Sequence, residues 1–159
     1  MTPRIVELKS KKFVGLSEEM SLVDNKTFEV WKNFRQHSKK VPNKLSQDFI
    51  SLQDYPEDYF ETFSPAKNFV KWACVEVDSF KEIPSGLGSL FLEGGLYAVF
   101  NFKGDAAKAQ AFFQYIYGKW IPNSNYILDH RPHFEVLGAK YKNNDSTSEE
   151  EIWIPIKTK

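Results

Sequence analysis

The sequence predicts an α+β domain in which two βαββ units join antiparallel sheets into a cup, with helices packed on the outer sheet faces. Segments that alternate apolar and polar residues, as half-buried strands do, are interrupted by two segments with apolar residues at helical spacing. The order strand, helix, strand, strand occurs twice, in repeats at about 1–80 and 94–159. Because a βαββ unit leaves one sheet face uncovered, two units can bury those faces together. We therefore expect a single domain over residues 1–159.

The first unit contains one helical pattern among segments typical of strands. Phe28, Trp31 and Phe34 recur at helical spacing, and Asn25 ahead of them is a suitable N-cap. Trp31 lies on the apolar stripe and is expected in the core. The predicted elements are one or two strands within 4–20, a helix at 26–37, and strands at 49–53 and 70–78.

The second unit has the stronger helix signal. Ala109, Phe112, Phe113 and Ile116 follow the i, i+3, i+4, i+7 pattern, and Asp105 precedes them as an N-cap. The predicted elements are strands at 96–103, 133–141 and 151–157, a helix at 106–119, and a polar hairpin loop at 142–150.

Composition excludes several function classes. Basic and acidic residues balance at 21 each, so the charge gives no general attraction to nucleic acid or to an anionic membrane. Cys74 is the single cysteine, which excludes an internal disulfide and a thiolate metal site and fits a cytoplasmic protein. No apolar run is long enough to span a bilayer. Histidine spacing and glycine pattern indicate neither a metal nor a phosphate site, and we expect no cofactor.

Aromatic residues make up 16% of the chain and include four Trp, so some of these rings are candidates to line a pocket. Alternation gives each strand one face of aliphatic residues or Phe, as a helix-covered core needs. The other face collects Trp72, Glu76, Tyr97, Glu135 and Trp153. A large exposed aromatic surface marks a binding site, and a carboxylate ringed by Trp and Tyr attracts organic cations through charge and ring quadrupoles.

The second half of the chain resembles a known family. The run LYAVFNFKGDAAKAQAFFQYIYGKWIPNSNY at 96–126 and the ending HFEVLGAKY…EEIWIPIK are similar to GyrI-like effector-binding domains of AraC- and MerR-type multidrug regulators, in the SOUL/GyrI-like superfamily. Family motifs match at 98–100, 120–126, 132–135 and 151–156. The segments KFVGL and VKWACVEV add weaker support.

The resemblance implies a standalone domain of two βαββ repeats about a pseudo-two-fold axis, with a ligand cup between them, and we expect a ligand-binding protein in preference to an enzyme. Members of the family bind amphipathic, often cationic drugs, and the glutamate of the family matches Glu135. Trp120 and Tyr126 match the motif and either line the cup or fasten the helix end to the sheet. The ligand-binding residues expected are Glu135, Trp72, Tyr97, Trp120, Tyr126 and Trp153.

Two alternatives remain at this stage. The same glutamate could polarise or deliver water to a strained electrophile, as the resemblance implies for relatives that hydrolyse cyclopropane-bearing natural products. The cup could also hold a protein partner. Our first hypothesis is a small amphipathic cation as ligand, bound for sensing or sequestration, without direct contact to nucleic acid or membrane.

Overall fold

The computed structural model describes residues 2–159, which fold into nine strands and several helical segments. The strands are β1 (Arg4–Leu8), β2 (Lys11–Met20), β3 (Phe49–Asp54), β4 (Phe69–Val77), β5 (Gly88–Leu92), β6 (Gly95–Lys103), β7 (Tyr126–Leu128), β8 (His133–Leu137) and β9 (Glu149–Thr158). The helices are α1 (Thr27–Arg35), α2 (Ala106–Tyr115) and α3 (Ile121–Asn123), with a 3-10 turn at Ser38–Lys40 and a π-helical segment at Ile116–Trp120.

The strand order confirms the predicted α+β class and its two-unit architecture. The strands form one antiparallel sheet in the order β1-β6-β9-β8-β3-β4-β2-β5, and β7 pairs with β9 beside this path. Exchanging β1, β2, β3 and β4 with β5, β6, β8 and β9 reverses the order into itself. The two units therefore have pseudo-two-fold topology about the β3–β8 pair, and the first strand of each unit pairs at the edge of the other.

Both long helices cover the same side of the sheet, which we call the helix face. Val30 and Phe34 of α1 pack over Ala73 and neighbouring residues of β2 and β4. The segment from α2 through Ile116 packs over Phe100 and neighbouring residues of β6 and β9. The two helices thus cover the two outer parts of the sheet, and the middle strands β3 and β8 lie between them.

The helix ends follow local capping chemistry. Asp105 caps α2 as predicted, since its Oδ1 accepts a hydrogen bond from the Lys108 amide at 3.0 Å. Asn25 Oδ1 accepts from the Thr27 amide at 2.9 Å, one residue ahead of the N-cap position. The α-helical part of α2 ends earlier than predicted, at Tyr115, and the chain continues as the π-helical segment before Pro122. Within residues 2–159, no helix has both the length and the apolar character needed to cross a bilayer.

The other side of the sheet, which we call the opposite face, holds a second aromatic core. Its buried members are Phe13, Ile50, Leu52, Cys74, Leu92, Tyr97, Val99 and Phe134. Val6 from β1 and Leu90 from β5 pack against this cluster, although β1 and β5 lie at opposite edges of the sheet. The sheet therefore curves around the opposite face. The predicted elements do not include β5, whose short run lies between two glycine-containing segments.

Candidate functional site

A cup of about 1640 Å³ opens on the helix face, where α1 and α2 leave β3 and β8 uncovered. Its walls come from both helices, from the connection between β3 and β4, and from the connection between β8 and β9. Eleven aromatic residues line it: Phe28, Trp31, Tyr55, Tyr59, Phe60, Phe63, Phe69, Phe102, Phe113, Tyr117 and Tyr141. The volume exceeds the roughly 300–1,000 Å³ that is usual for small-molecule sites.

The floor of the cup is polar, unlike the rest of the helix face. Ser51, Gln53, Lys71, Glu135 and Glu150 all line it, from four adjacent strands. The register places them side by side, because Ser51 pairs with Glu135 and Gln53 pairs with Lys71. Alternation along each strand therefore gathers two carboxylates and an ammonium group where the sheet has no helix above it.

Gln53 connects the charged groups of the floor. With its amide oriented to satisfy both neighbours, Gln53 Nε2 donates to Glu135 Oε2 at 3.0 Å and its Oε1 accepts from Lys71 Nζ. Gln53 and Lys71 are buried, with 8% and 7% of their surface exposed, whereas Glu135 keeps part of its surface open. Glu135 is therefore held in place by an amide and remains accessible from the cup.

Burial shifts the pKa values of the three charged groups of the floor, Glu135, Lys71 and Glu150. Burial raises the pKa of Glu135, against the opposing effects of the Lys71 ammonium and the Gln53 hydrogen bond. Burial lowers the pKa of Lys71, opposed chiefly by the charge of Glu135 and then by that of Glu150. The pKa of Glu150 rises to about 7 through burial and the nearby charge of Glu135. Added positive charge in the cup would favour the ionised form of both carboxylates.

Aromatic rings from the β3–β4 connection build one wall of the cup. Tyr55 lies 4.5 Å from Tyr59 and 4.9 Å from Phe60, measured between ring centroids. Phe60 lies 4.9 Å from Tyr117, which follows α2. These centroid separations are typical of favourable aromatic pairs, so the wall is packed before any ligand enters.

His133 supports this wall and carries no charge. Its ring stacks on Phe60 at a centroid distance of 5.3 Å, and its Nδ1 lies 2.8 Å from the hydroxyl of Tyr117. Burial, helped by Arg131, lowers the pKa of His133 to about 3. Nowhere in residues 2–159 do three or more His, Cys, Asp or Glu side chains form a group suited to a metal ion.

The prediction that Glu135 shares a face with Trp72, Tyr97 and Trp153 is wrong. Alternation within each strand holds, but the register sets Phe134, the neighbour of Glu135, against Trp153. The three aromatic residues consequently belong to the cluster on the opposite face, and they do not line the cup. Tyr97 is fully buried there, with its hydroxyl donating to the Pro132 carbonyl at 2.9 Å.

Trp120 and Tyr126 also lie outside the cup. Their rings stack on each other at 6.4 Å, and Trp120 meets Phe100 edge to face at 5.3 Å. They pack where the helical segment after α2 returns to the sheet. This is the fastening role that the sequence left as one of two alternatives.

Several cup residues were not recognised from the sequence. Trp31, expected in the core, is partly exposed and lines the cup. Glu150 belongs to the acidic run at 149–151, a pattern that is typical of a solvent-exposed segment. Lys71 did give a usable signal, since it alternates with Ala73 on an aliphatic strand face and lysine is rarely buried without a partner.

The chain matches the family model of Cass2, the integron-associated effector binding protein, over residues 4–156. It belongs to this family. The Cass2 match confirms the predicted resemblance to effector-binding domains, and the chain is an effector-binding domain. No curated protein sequence matches it.

Solved structures with the same fold are distant in sequence. SAV2435, bound to tetraphenylphosphonium, has a TM-score of 0.76 and 17% identity, covering 99% of this chain and 94% of that one. The integron cassette protein VCH_CASS2 from the mobile metagenome of Vibrio cholerae gives 0.68 and 16%, covering 98% and 96%. The EcmrR C-terminal domain gives 0.74 and 13%, covering 99% and 98%. At these identities the likeness shows the fold shared with this Cass2-family chain.

Proposed function

We propose that the cup binds a bulky hydrophobic organic cation and that Glu135 is the anionic group facing it. The observation that carries this proposal is a carboxylate on the floor of a cup lined by eleven aromatic residues. Such a protein serves in sensing or sequestering amphipathic cations, whether it acts alone or with a partner.

The energetics favour a cation over a neutral ligand of the same shape. A carboxylate removed from water is unfavourable unless it is paired, and a ligand cation supplies the missing charge. Each ring face within reach of the cation adds on the order of 0.5–2 kcal/mol, with the larger values where water is excluded. The amide of Gln53 restrains Glu135, which lowers the entropy lost when the ligand binds.

The charges at the rim do not oppose this selection strongly. Lys32, Arg35 and Lys142 line the mouth of the cup and are exposed, and Asp105 beside them is partly exposed. Exposed charges are screened by water and salt over about 8–10 Å. Selection for charge therefore rests on the floor, where Glu135 and Glu150 are desolvated.

The relative SAV2435 supports this class of ligand, because its bound tetraphenylphosphonium is a bulky aromatic monocation. The large volume of the present cup suits a ligand of that kind.

The test compares tetraphenylphosphonium with neutral triphenylphosphine oxide by isothermal titration calorimetry at pH 8. We expect the cation to bind at least about tenfold more tightly, which corresponds to ~1.4 kcal/mol. Equal affinity for the two ligands would contradict the proposal.

A second candidate function is hydrolysis of a strained electrophile such as an activated cyclopropane. It is favoured by one observation, the pair of adjacent carboxylates with raised pKa values, since Glu150 with a pKa of about 7 suits acid–base catalysis near neutral pH. Product formation that Glu135→Gln abolishes would support it. Absence of turnover, or turnover that survives this substitution, would contradict a hydrolase that depends on Glu135.

A further inference from the structure

We propose that the positive charge of Lys71 determines which ligand charge the cup prefers, so that the cup selects hydrophobic monocations over dications. The buried ammonium group cancels one of the two carboxylates on the floor. This inference rests on the proposed function and specifies which cations the same site accepts.

A lysine on the floor of a cation site needs an explanation. Lys71 lies on the helix face of β4 between Phe69 and Ala73, all three of them buried. A Met side chain would fill similar space without the free-energy cost of a desolvated charge. The ammonium group also repels the ligand that the rings and Glu135 attract.

The contacts of Lys71 show how it acts on the floor. Its Nζ donates to Gln53 Oε1, and Gln53 in turn donates to Glu135 at 3.0 Å. Among the ion pairs formed by residues 2–159, none joins Lys71 directly to a carboxylate. Lys71 therefore lowers the net negative charge of the floor without bonding directly to a carboxylate, because the Gln53 amide lies between them. Glu135 still faces the cup.

The charge count then determines the preferred ligand. Glu135 and Glu150 carry two negative charges when ionised and Lys71 carries one positive charge, which leaves one negative charge on the floor. A monocation neutralises it. A dication leaves one uncompensated positive charge in a desolvated site, which is unfavourable.

The experiment measures the affinities of tetraphenylphosphonium and of a bis(triphenylphosphonium) alkane in wild type and variants at pH 8. We expect Lys71→Met to raise the ratio of dication to monocation affinity by about tenfold or more. Lys11→Met, on the opposite face where Lys11 pairs with Glu76, is the matched control and should leave the ratio unchanged. Because the ratio compares one ligand with another, a general loss of packing at position 71 would not change it in this direction.

A charge-restoring variant separates electrostatics from packing. Lys71→Met combined with Glu150→Gln returns the floor to one negative charge, on Glu135 alone, and should return the ratio to the wild-type value. An unchanged ratio in Lys71→Met would overturn the inference, as would a double variant that keeps the ratio of the single one.

The failure of this inference is distinguishable from failure of the proposed function. A wild type that prefers tetraphenylphosphonium to triphenylphosphine oxide but binds the dication still more tightly refutes the role of Lys71 alone. If Lys71→Met does not fold, the single variant Glu150→Gln tests the charge count instead. With Lys71 retained it makes the floor neutral, and the preference for the monocation over the neutral oxide should fall about tenfold. An unchanged preference would contradict the charge count.

Discussion

Both faces of the sheet carry aromatic residues and carboxylates, but they differ in the size of the open cavity above them. On the opposite face, Trp153 stacks on Phe134 at a centroid distance of 5.3 Å, and Glu76 pairs with Lys11 at 3.0 Å. On the helix face, Glu135 accepts a hydrogen bond from the Gln53 amide, and none of the ion pairs formed by residues 2–159 includes Glu135. The cleft beside Trp153 measures about 180 Å³, against about 1640 Å³ for the cup.

Coverage explains this difference better than composition does. On the opposite face the curved sheet brings strands from both of its edges onto one cluster, which its aromatic residues fill. On the helix face, α1 and α2 cover the outer strands and leave the middle of the sheet uncovered. Aromatic residues and a carboxylate thus mark a binding site here only where no second layer packs on them.

The largest contrast between the faces should appear in stability. Phe134 is 1% exposed and contacts Phe13, Tyr97 and Trp153, so Phe134→Ala should lower the free energy of unfolding by about 3–5 kcal/mol. Equilibrium urea unfolding provides the measurement. Phe91→Ala, at a side chain that is 54% exposed, is the control and should change stability by about 0.5 kcal/mol or less. A loss below about 1 kcal/mol at Phe134 would show that the opposite face is not a packed core.

Ligand affinity should depend on tryptophan in one face and not in the other. Trp31 lines the cup, so Trp31→Leu should weaken tetraphenylphosphonium binding about tenfold, or ~1.4 kcal/mol, through the lost ring contact. Trp153→Leu should leave the affinity unchanged wherever the variant is folded. Calorimetric titration of both variants checks this. A larger loss of affinity in Trp153→Leu than in Trp31→Leu would place the binding site on the opposite face.

The cup should bind permanent cations more tightly as the pH rises. Burial and Glu135 hold the pKa of Glu150 at about 7, so Glu150 is largely neutral at pH 6 and ionised at pH 8. A bound cation favours the ionised form, and affinity should therefore rise up to about tenfold between these pH values. Glu150→Gln should flatten the profile, whereas Glu151→Gln, the next residue on the opposite face, should not. A profile that falls with pH would contradict the assigned charges.

Local patterns were enough to predict most of the fold. The spacing of Phe112, Phe113 and Ile116 gave the second helix, Asp105 gave its start, and alternation gave the inner and outer residues of each long strand. The family resemblance added the two-unit cup. β5 and β7 were missed because each is short and forms through pairing with a distant strand.

The site was harder to predict because it depends on register. Alternation separates Glu135 from Phe134, but only the pairing of Phe134 with Trp153 decides which face each one joins. Tyr55 and Phe60 lie in an irregular connection without periodicity, so no pattern assigned them to the wall. Lys71 and Glu150 could be assigned to the site only once the structure showed that they lie near Glu135.

The central claim, that Glu135 supplies the charge recognised by the ligand, is tested most directly by comparing two glutamates on the two faces. Tetraphenylphosphonium is titrated calorimetrically at pH 8 into Glu135→Gln and into Glu151→Gln, whose side chain is partly exposed on the opposite face. We expect the first substitution to weaken binding about tenfold or more and the second to leave it at the wild-type value. Equal affinity in the two variants would contradict the claim.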